Sequence, residues 1–227
     1  MARQTDSEQS GGRPEKLVDL ECVFDPVAKT IEGLQVAVHL GQGHTLDLGV
    51  FLPFGAFPRA IINCYRTPNF AGSYTSYPTA YPTRCPVRAP GEIECATLGE
   101  ELVDRVAFAS GVHPNDVREA SLINCTDRNA KGEKLHEEDF TLKELWTAVM
   151  DGGSDRGGWR SRVAAADAFN ASHRHVKKGV AVIPFVYHVT TGEGKVVVAG
   201  YTDGTFVVSH GGVEMGQGLA VKVQQAV

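Results

Sequence analysis

The chain reads His210-Gly211-Gly212-Val213-Glu214-Met215-Gly216-Gln217-Gly218-Leu219 close to its C-terminal end, and this stretch says most about the fold. An alternating apolar run precedes it, and a helix-like segment follows as far as Val227. A strand, a glycine-rich turn and a helix start together present unpaired backbone N–H groups at the positive end of a helix dipole. Glycine also allows a ligand to approach the backbone closely, because it has no Cβ atom. The stretch therefore predicts an anion-binding loop between a strand and a helix.

A β-hairpin is predicted immediately before this loop. Residues 195–201 and 205–209 are rich in β-branched residues, and Thr202-Asp203-Gly204 lies between them. An Asp-Gly pair between two such runs is typical of a hairpin turn. The second strand leads directly to His210, so a rigid element would hold the loop at its end. The alternative is that the loop glycines only form turns, since short glycine patterns often match by chance.

The loop lacks the usual nucleotide-binding motifs. Gly216-Gln217-Gly218 has no third glycine, as the dinucleotide-binding motif requires, and no Lys-Ser or Lys-Thr pair follows, as a P-loop requires. An anionic cofactor at this position is therefore predicted to be neither NAD nor ATP.

The composition is that of a globular protein with a core. The hydrophobic share is 42% and the charged share 22%, and 227 residues allow one large or two modest domains. A net charge of −5 argues against nucleic-acid binding, and no basic run indicates contact with an anionic membrane. No apolar stretch could cross a bilayer, and the polar N-terminus has no secretory signal pattern. We therefore expect a cytoplasmic protein with no nucleic-acid or membrane partner, whose residues 1–16 form a disordered leader.

The five cysteines are isolated along the chain. They stand at positions 22, 64, 85, 95 and 125, an odd number without a Cys-x-x-Cys pair. This pattern is typical of reduced thiols in an intracellular protein, and it argues against an iron–sulfur domain, which needs clustered thiolates. Cys85 stands close to Arg88, and we expect its side chain to be a small buried hydrophobic group.

Apolar periodicity predicts the regular elements of the rest of the chain. They are strands at 17–24 and 33–40 and helices at 92–110, at 115–122, from 141 onward and at 159–172. Gly111 should end the first helix, and His113 or Asn115 should cap the second. Thr141 and Glu144 predict a capping box at the third.

Three segments are predicted to be irregular or ambiguous. Residues 51–63 are ambiguous, because Pro53 and Pro58 would interrupt any helix. Residues 68–92 contain many prolines and tyrosines and predict a long loop, which in a compact domain is usually functional or disordered. The glycine-rich residues 151–158 predict a flexible break between two helices.

Gly211–Leu219 strongly resembles the Gly-Gly-x-Glu-Met/Ile-Gly-Gln-Gly-Leu motif of the molybdenum hydroxylases, the xanthine dehydrogenase and aldehyde oxidase family. Four upstream segments resemble further motifs of this family, in the family's order. They are Asn63-Cys64-Tyr65-Arg66-Thr67-Pro68-Asn69, Val87–Glu92, Val117–Leu122 and Lys178–Pro184. Ordered matches over nearly the whole chain are far more specific than any single motif.

The resemblance implies an α+β fold of mixed sheets with packed helices, made of parts of two successive molybdopterin-binding subdomains. After the leader, residues 17–150 would form the end of the first subdomain and residues 151–177 a helical linker. Residues 178–227 would form the truncated start of the second subdomain, with a strand at Lys178–Pro184.

The resemblance also implies a cofactor site. In this family the glycine loop holds the pyranopterin and phosphate of molybdopterin. Met215, Gly216, Gln217 and Gly218 would therefore bind the cofactor through backbone N–H groups and the Gln217 amide. Arg88 would lie against the cofactor in a loop restrained by prolines. No protein side chain would ligate the metal, whose sulfur ligands come from the pterin, and no catalytic residue is assigned within the chain.

Other polar residues near the loop are assigned structural roles. Glu214 is a poor general base, because an ionised carboxylate would repel a cofactor phosphate, so we expect a salt bridge or a loop hydrogen bond. His210 is expected to be hydrogen-bonded at a strand end. His173 and His175 are two residues apart and would point in different directions on a helix, so no metal site is expected there.

The chain departs from xanthine-oxidising members of the family at two places. Those members carry an arginine seven residues before the motif asparagine, and the corresponding residue here is Ala56. Arg59 is nearby but out of register. Their Arg-Gly-Phe-Gly-Gly segment is replaced by Arg88-Ala89-Pro90-Gly91, which lacks the aromatic residue. Both differences imply a pocket of the aldehyde oxidase type.

The resemblance implies the molybdopterin-binding portion of an oxidoreductase that hydroxylates aldehydes or N-heterocycles with oxygen derived from water. The family's catalytic glutamate, in a Gly-Glu-Pro motif, and its 2Fe-2S and FAD domains would lie in missing parts of the full-length enzyme. We therefore expect this chain to be inactive alone and to act with the remainder of the large subunit or a homodimer partner. The alternative is a non-catalytic binding module, or a split-subunit assembly module that retains only the cofactor-binding loop.

Overall fold

The computed structural model describes residues 12–128, 132, 140–152, 157–187 and 194–226. It divides the chain into two units, Met1–Tyr187 and His188–Val227. Each unit combines a sheet with helices, so the predicted α+β class is confirmed. No helix within the described ranges is long and apolar enough to cross a membrane.

The first unit is built on a three-stranded mixed sheet in the order β1-β2-β3. β1 (Glu15–Asp25) and β2 (Thr30–Gly43) confirm the two predicted strands and pair antiparallel, and β3 (Asn69–Pro78) runs parallel to β2. The buried residues of the central strand β2 are Ile31, Leu34, Val36, Val38 and Leu40. β1 already includes Glu15 and Lys16, so regular structure begins inside the segment that the sequence assigned to a disordered leader.

The irregular loop predicted for residues 68–92 is wrong for its first part, where β3 forms. Phe70 and Tyr74 pack against the ring of Phe57, and β2 provides the backbone partner along the strand. Pro68 precedes the strand, and the next proline is Pro78, the last residue of the strand, where a missing N–H does not disturb the ladder. Pairing with β2 and aromatic packing, which are both tertiary contacts, therefore decide the structure here.

The interruption predicted at Pro53 and Pro58 is wrong, because α1 (Leu48–Ile62) is one continuous helix. Each proline removes a backbone hydrogen bond and costs about 3 kcal/mol in a helix interior. Burial of one large apolar side chain contributes about 1.5–3 kcal/mol, so a well-packed face offsets this cost. The apolar residues that α1 buries, besides Pro53, are Val50, Ala56, Phe57, Ala60, Ile61 and Ile62.

α2 (Glu92–Ser110) and α3 (Pro114–Ser121) confirm two of the predicted helices. Gly111 ends α2 in the left-handed conformation with φ 68°, as predicted. His113 caps α3, because its Nδ1 accepts a hydrogen bond from the N–H of Asn115 at 3.1 Å. Of the two predicted caps, His113 is therefore the correct one.

α4 (Leu142–Asp151) and α5 (Trp159–Ser172) also form where helices were predicted. The predicted capping box of Thr141 and Glu144 is wrong, since the Thr141 side chain makes no capping hydrogen bond. The backbone of Thr141 has φ −108° and ψ 5°, which is not the extended conformation from which an N-cap side chain reaches the first turn. Of the apolar residues in α4, only Trp146 is buried.

Residues 178–184, predicted to be a strand, pair with no neighbouring strand in the described part of the first unit. A single side chain holds the segment that follows. The amide of Asn63 donates to the carbonyl of Pro184 at 2.7 Å and accepts from the N–H of Val186 at 3.1 Å. The amide of Asn170 binds the N–H and the carbonyl of Lys178 in the same way, so two asparagines hold the two ends of residues 178–186. Residues 153–156 of the predicted flexible break lie outside the described ranges.

The second unit contains the predicted hairpin of β4 (Val196–Gly200) and β5 (Phe206–His210). Its turn closes as the Asp-Gly pair predicts, because Gly204 has φ 86° and Asp203 Oδ1 accepts from the N–H of Thr205 at 3.0 Å. α6 (Leu219–Ala226) follows the glycine loop and confirms the last predicted helix.

All five cysteines lie in described parts of the chain, and none of them forms a disulfide. Burial raises the pKa of the Cys64 and Cys95 thiols to about 12, so both remain protonated at neutral pH. The expected burial of Cys85 is wrong, since its side chain is exposed. Cys85 lies in the proline-rich connection after β3, where no apolar partner covers it among the core clusters of described residues.

A buried ionic network joins α2 to α3. The guanidinium of Arg118 donates to Glu100 at 2.8 Å, to Asp104 at 2.7 Å and to the side-chain oxygen of Asn115 at 3.0 Å. The hydroxyl of Tyr65 donates to the second oxygen of Glu100 at 2.6 Å. Burial, and after it the charge of Glu100, raises the pKa of Tyr65, so its hydroxyl stays a donor. The Glu100 carboxylate is therefore charged, buried and compensated from two sides.

Arg118→Met is expected to destabilise the protein by about 3–5 kcal/mol, because it leaves Glu100 buried without its cation. The free energy of unfolding in urea measures this loss. Arg105→Met is the matched control: Arg105 is on α2, is 75% exposed and pairs with Glu101 at 2.6 Å. Loss of an exposed pair costs at most about 1 kcal/mol. Equal losses of stability in the two variants would show that the buried network stabilises the protein no more than an exposed ion pair does.

Candidate cofactor-binding site

The glycine loop folds around the carboxylate of Glu214. Oε1 accepts hydrogen bonds from the N–H groups of Gly216 at 2.7 Å and Gly218 at 3.1 Å. Oε2 accepts from the N–H groups of Leu219 at 2.6 Å and Ala220 at 3.4 Å. Four backbone donors at the start of α6 therefore converge on two carboxylate oxygens, which is the donor arrangement that binds anions.

Glu214 is an internal cap of the loop. Hydrogen bonds from backbone N–H groups, above all that of Gly216, lower the pKa of Glu214 below its usual value, so the carboxylate stays ionised at neutral pH. The predicted loop hydrogen bond of Glu214 is confirmed. The sequence did not show that this side chain would occupy the N–H groups expected to meet a ligand.

Gln217 also stabilises the loop, through two hydrogen bonds of its side-chain amide. Its Oε1 accepts from the N–H of Met215 at 2.6 Å, and its Nε2 donates to the carbonyl of Val213 at 2.8 Å. A primary amide has two N–H donors and two acceptor lone pairs, so these bonds leave one donor and one acceptor for a ligand. The side chain of Met215 is 81% exposed beside it.

The loop glycines are needed for backbone conformation. Gly216 has φ 97° and Gly218 has φ 75°, a region that residues with a Cβ atom avoid. A Cβ atom on either glycine would meet nothing within 4 Å, so the surrounding space is open. His210 fixes the entry to the loop, since its Nδ1 accepts from the N–H of Gly212 at 3.1 Å, as the sequence analysis expected.

Within the described part of the chain, the two histidines after α5 make at most local contacts, and none of these involves the glycine loop. His173 stacks on Phe169 with 3.8 Å between ring centroids, and its Nδ1 lies 2.9 Å from the Phe169 carbonyl oxygen. His175 is exposed. Among the described residues, no group of three His, Cys, Asp or Glu side chains could hold a metal ion.

Arg88 lies in the first unit, in the connection between β3 and α2, and its side chain is exposed. Its carbonyl oxygen accepts from Nη2 of Arg13 at 2.5 Å. The next residues have unusual backbone angles, with φ 53° at Ala89 and φ 80° at Gly91. Glu94 accepts from the N–H of Gly91 at 2.8 Å and so closes the loop onto the start of α2. The glycine loop and the Arg88 loop thus belong to different units.

The structure also shows the position at which xanthine-oxidising members of the family carry an arginine. Ala56 is buried on α1, and a Cβ atom on Gly91 would come within 3.1 Å of its methyl group. Arg59, one turn later, is engaged in an ion pair with Glu92. Neither residue therefore offers a free cation at this face of α1.

Sequence reasoning missed Arg13 and Glu94. The spacing Gly91-x-x-Glu94 allows half of a capping box, in which the glutamate accepts from the N–H of the cap residue, and it could have indicated Glu94. No local pattern indicates Arg13, since its two partners are 75 and 81 residues away in the chain.

Comparisons with known proteins identify the family. Models described as "Molybdopterin cofactor-binding domain" match residues 1–122, more than half of the chain, and residues 153–227. The chain is 30% identical to indole-3-acetaldehyde oxidase of Arabidopsis thaliana and 28% identical to xanthine dehydrogenase/oxidase of Felis catus, over 98% of its own length in both cases. It spans only 16% of the length of each of these relatives.

The fold agrees with a solved structure. The aldehyde oxidoreductase of Desulfovibrio gigas matches 89% of this chain with a TM-score of 0.64 and 17% sequence identity, and the match covers 22% of that protein. At this identity the likeness concerns the fold, and it places the described elements in a known α+β arrangement. On the two family matches, the chain belongs to the molybdopterin cofactor-binding domain family.

Proposed function

We propose that this chain is the molybdopterin-binding portion of an aldehyde oxidase or xanthine dehydrogenase-like oxidoreductase that hydroxylates aldehydes or N-heterocycles with oxygen derived from water. The observation that carries the proposal is the glycine loop between β5 and α6, which Glu214 holds in one conformation through four backbone hydrogen bonds and which leaves the space at Gly216 and Gly218 open. The names of the relatives, an aldehyde oxidase and a xanthine dehydrogenase, support this class of substrate.

The Gln217 amide keeps one free donor and one free acceptor, which fits the donor and acceptor edge of a pterin cofactor. Glu214 already satisfies the N–H groups of the first turn of α6, so its role is to hold the loop in shape. The features that would meet the cofactor are then the outward half of the Gln217 amide, the exposed Met215 side chain and the open space at Gly216 and Gly218. The Arg88 segment of the first unit is proposed to contribute as well. When bound, molybdopterin would supply the metal for oxygen transfer and electron acceptance.

We propose a preference for substrates from the residues on the face of α1 that lies next to Gly91. Ala56 stands where xanthine-oxidising members carry a purine-orienting arginine, and it is buried beneath Gly91. A methyl group there provides no charge for a purine, which favours aldehydes or uncharged heterocycles. Efficient steady-state oxidation of xanthine by an enzyme assembled with this chain would contradict this assignment.

Activity is proposed to require more protein than this chain contains. The chain spans 16% of the length of its curated relatives, and the family's general base, 2Fe-2S cluster and FAD belong to other segments. We infer a partner: the remainder of the large subunit, or a second subunit of a homodimer, in the cytoplasm. Oxidation of benzaldehyde by the purified chain, above a metal-free control, would contradict the requirement for a partner.

A split-subunit assembly module is the second candidate. The hairpin favours it, because Val196, Val197, Phe206 and Val207 are all more than half exposed and lie on adjacent strand positions, so both faces of the hairpin are apolar. Such a surface is typical of a buried sheet. The coding sequence on either side separates the candidates: an in-frame Gly-Glu-Pro segment indicates one long enzyme, and a separate neighbouring gene indicates a split subunit.

Gln217→Ala is expected to lower molybdopterin retention roughly threefold to tenfold, because a hydrogen bond contributes about 0.5–1.5 kcal/mol. Molybdenum and pterin per chain after gel filtration measure the retention. Gln225→Ala, which changes an exposed glutamine on α6, is the matched control and should retain as much as the unmodified chain. Equal retention in both variants would count against the assignment of Gln217, and an unmodified chain without pterin would count against the function.

The shape of the glycine loop is expected to depend on pH through Glu214. Its pKa lies below the ordinary 4.5, so the carboxylate's contribution to loop stability is present above pH 4.5 and is lost as the pH falls through the lowered pKa. The amide resonances of Gly216 and Leu219 should therefore titrate together with a midpoint below 4.5. Glu214→Gln should abolish this titration, and Asp203→Asn, in the hairpin turn, should leave it unchanged. A midpoint at or above 4.5 would show that the carboxylate does not hold these amides.

A further inference from the structure

We propose that Arg13 and Glu94 are positioning residues of the cofactor site, which fix the Arg88–Gly91 loop in one conformation. The inference rests on the proposed role of that loop in molybdopterin binding. It gives a function to a segment that the sequence pattern assigned to a disordered leader.

The guanidinium of Arg13 connects the two ends of the loop. Its Nη2 donates to the carbonyl of Arg88 at 2.5 Å, and its Nη1 lies 3.2 Å from Oε1 of Glu94. The other carboxylate oxygen of Glu94 accepts from the N–H of Gly91 at 2.8 Å. One cation and one carboxylate therefore hold the first residue and the last residue of the loop.

The loop needs such support because its backbone is strained. Ala89 has φ 53°, a region that side chains with a Cβ atom rarely occupy, and such residues persist only where their surroundings fix them. Gly91 has φ 80°, and a Cβ atom there would overlap the backbone of Pro53 on α1. Contacts to Arg13 and Glu94 from one side, and to α1 from the other, provide that constraint.

Residues 12–16 are here called the N-terminal strap. Besides Arg13, other residues of the strap contact the chain next to the same loop. The carbonyl of Gly12 accepts from the N–H of Cys85 at 3.1 Å, and Glu15 pairs with Arg84 at 2.5 Å. Lys16 lies 3.3 Å from Oε1 of Glu94. The strap therefore contacts the chain before and after Arg88, over 69 to 81 residues of sequence separation.

The ion pairs of the strap are partly shielded from solvent. The side chain of Lys16 is 8% exposed and that of Glu94 is 16% exposed. Pairs of this kind are screened less by water and salt than surface pairs. Although burial opposes ionisation, a backbone hydrogen bond and the charges of Lys16 and Arg13 lower the pKa of Glu94. The carboxylate therefore remains available for Gly91 and Arg13 together.

The experiment compares Arg13→Ala, Arg13→Lys and Lys16→Ala in the full chain. Lysine at position 13 keeps a charge for Glu94 but lacks the fork that reaches two acceptors at once. Lys16→Ala removes a cation from Glu94 and leaves the Arg88 carbonyl contact intact. Two quantities are measured for each variant: hydrogen exchange of the Gly91 and Cys85 amides, and molybdopterin retained per chain.

Arg13→Ala should accelerate exchange of both amides and lower retention, each by roughly threefold to tenfold. Arg13→Lys should fall between Arg13→Ala and the unmodified chain, and Lys16→Ala should change retention less than Arg13→Ala. Exchange of the Gly111 amide at the end of α2 should be the same in every variant, which shows that the unit stays folded. If Gly111 exchange rises in Arg13→Ala, that variant is partly unfolded, and the milder variant Arg13→Lys then tests the proposal.

Unchanged exchange at Gly91 in both Arg13 variants would overturn the proposal. So would faster exchange with unchanged retention, because the strap would then stabilise a loop that does not serve the cofactor. If the unmodified chain retains no molybdopterin while Gln217→Ala also has no effect, the proposed function fails instead. In that case the exchange data still report whether Arg13 holds the loop.

Discussion

The carboxylate of Glu100 is the charge around which the first unit is organised. It is buried, so it must be compensated by a cation and by hydrogen bonds, and Arg118 and Tyr65 supply both. These contacts join α2 to α3 and to the chain that precedes β3. Asn63 lies at the edge of the same cluster, 3.4 Å from Glu100, and its amide also holds the backbone at Pro184 and Val186. One compensated charge thus links segments that are more than 100 residues apart.

The Arg88–Gly91 loop and the glycine loop use the same kind of local hydrogen bonding. Glu94 accepts from the N–H of Gly91 at the start of α2, and Glu214 accepts from the N–H groups at the start of α6. In each case a carboxylate from the chain satisfies donors that a helix leaves unpaired. Because these donors are occupied, the proposed contacts to a cofactor are assigned to side chains nearby, Arg88 beside the first loop and Gln217 within the second.

The sequence predicted those elements whose causes are local. An Asp-Gly turn predicts β4 and β5 correctly, a glycine after a helix predicts the end of α2, and apolar alternation predicts the strands β1 and β2. The failures were at α1, where burial outweighs Pro53 and Pro58, and at β3, which pairs with β2. The glycine loop itself was predictable from its motif. The occupation of the loop N–H groups by Glu214 depends on side-chain geometry, and Arg13 contacts residues that are distant in the sequence. No local pattern could therefore indicate either feature.

Under the proposed function, the exposed hairpin of the second unit would couple cofactor binding to assembly. None of its described side chains is buried, and a two-stranded hairpin is marginally stable in water unless another strand or a helix covers it. The glycine loop follows β5 directly, so the loop is only as rigid as the hairpin. Any surface that covers Val196 and Val207 therefore also lowers the entropy lost when the loop binds a ligand. Conversely, a ligand held by the loop stabilises the hairpin for its partner, because binding to the ordered state favours that state.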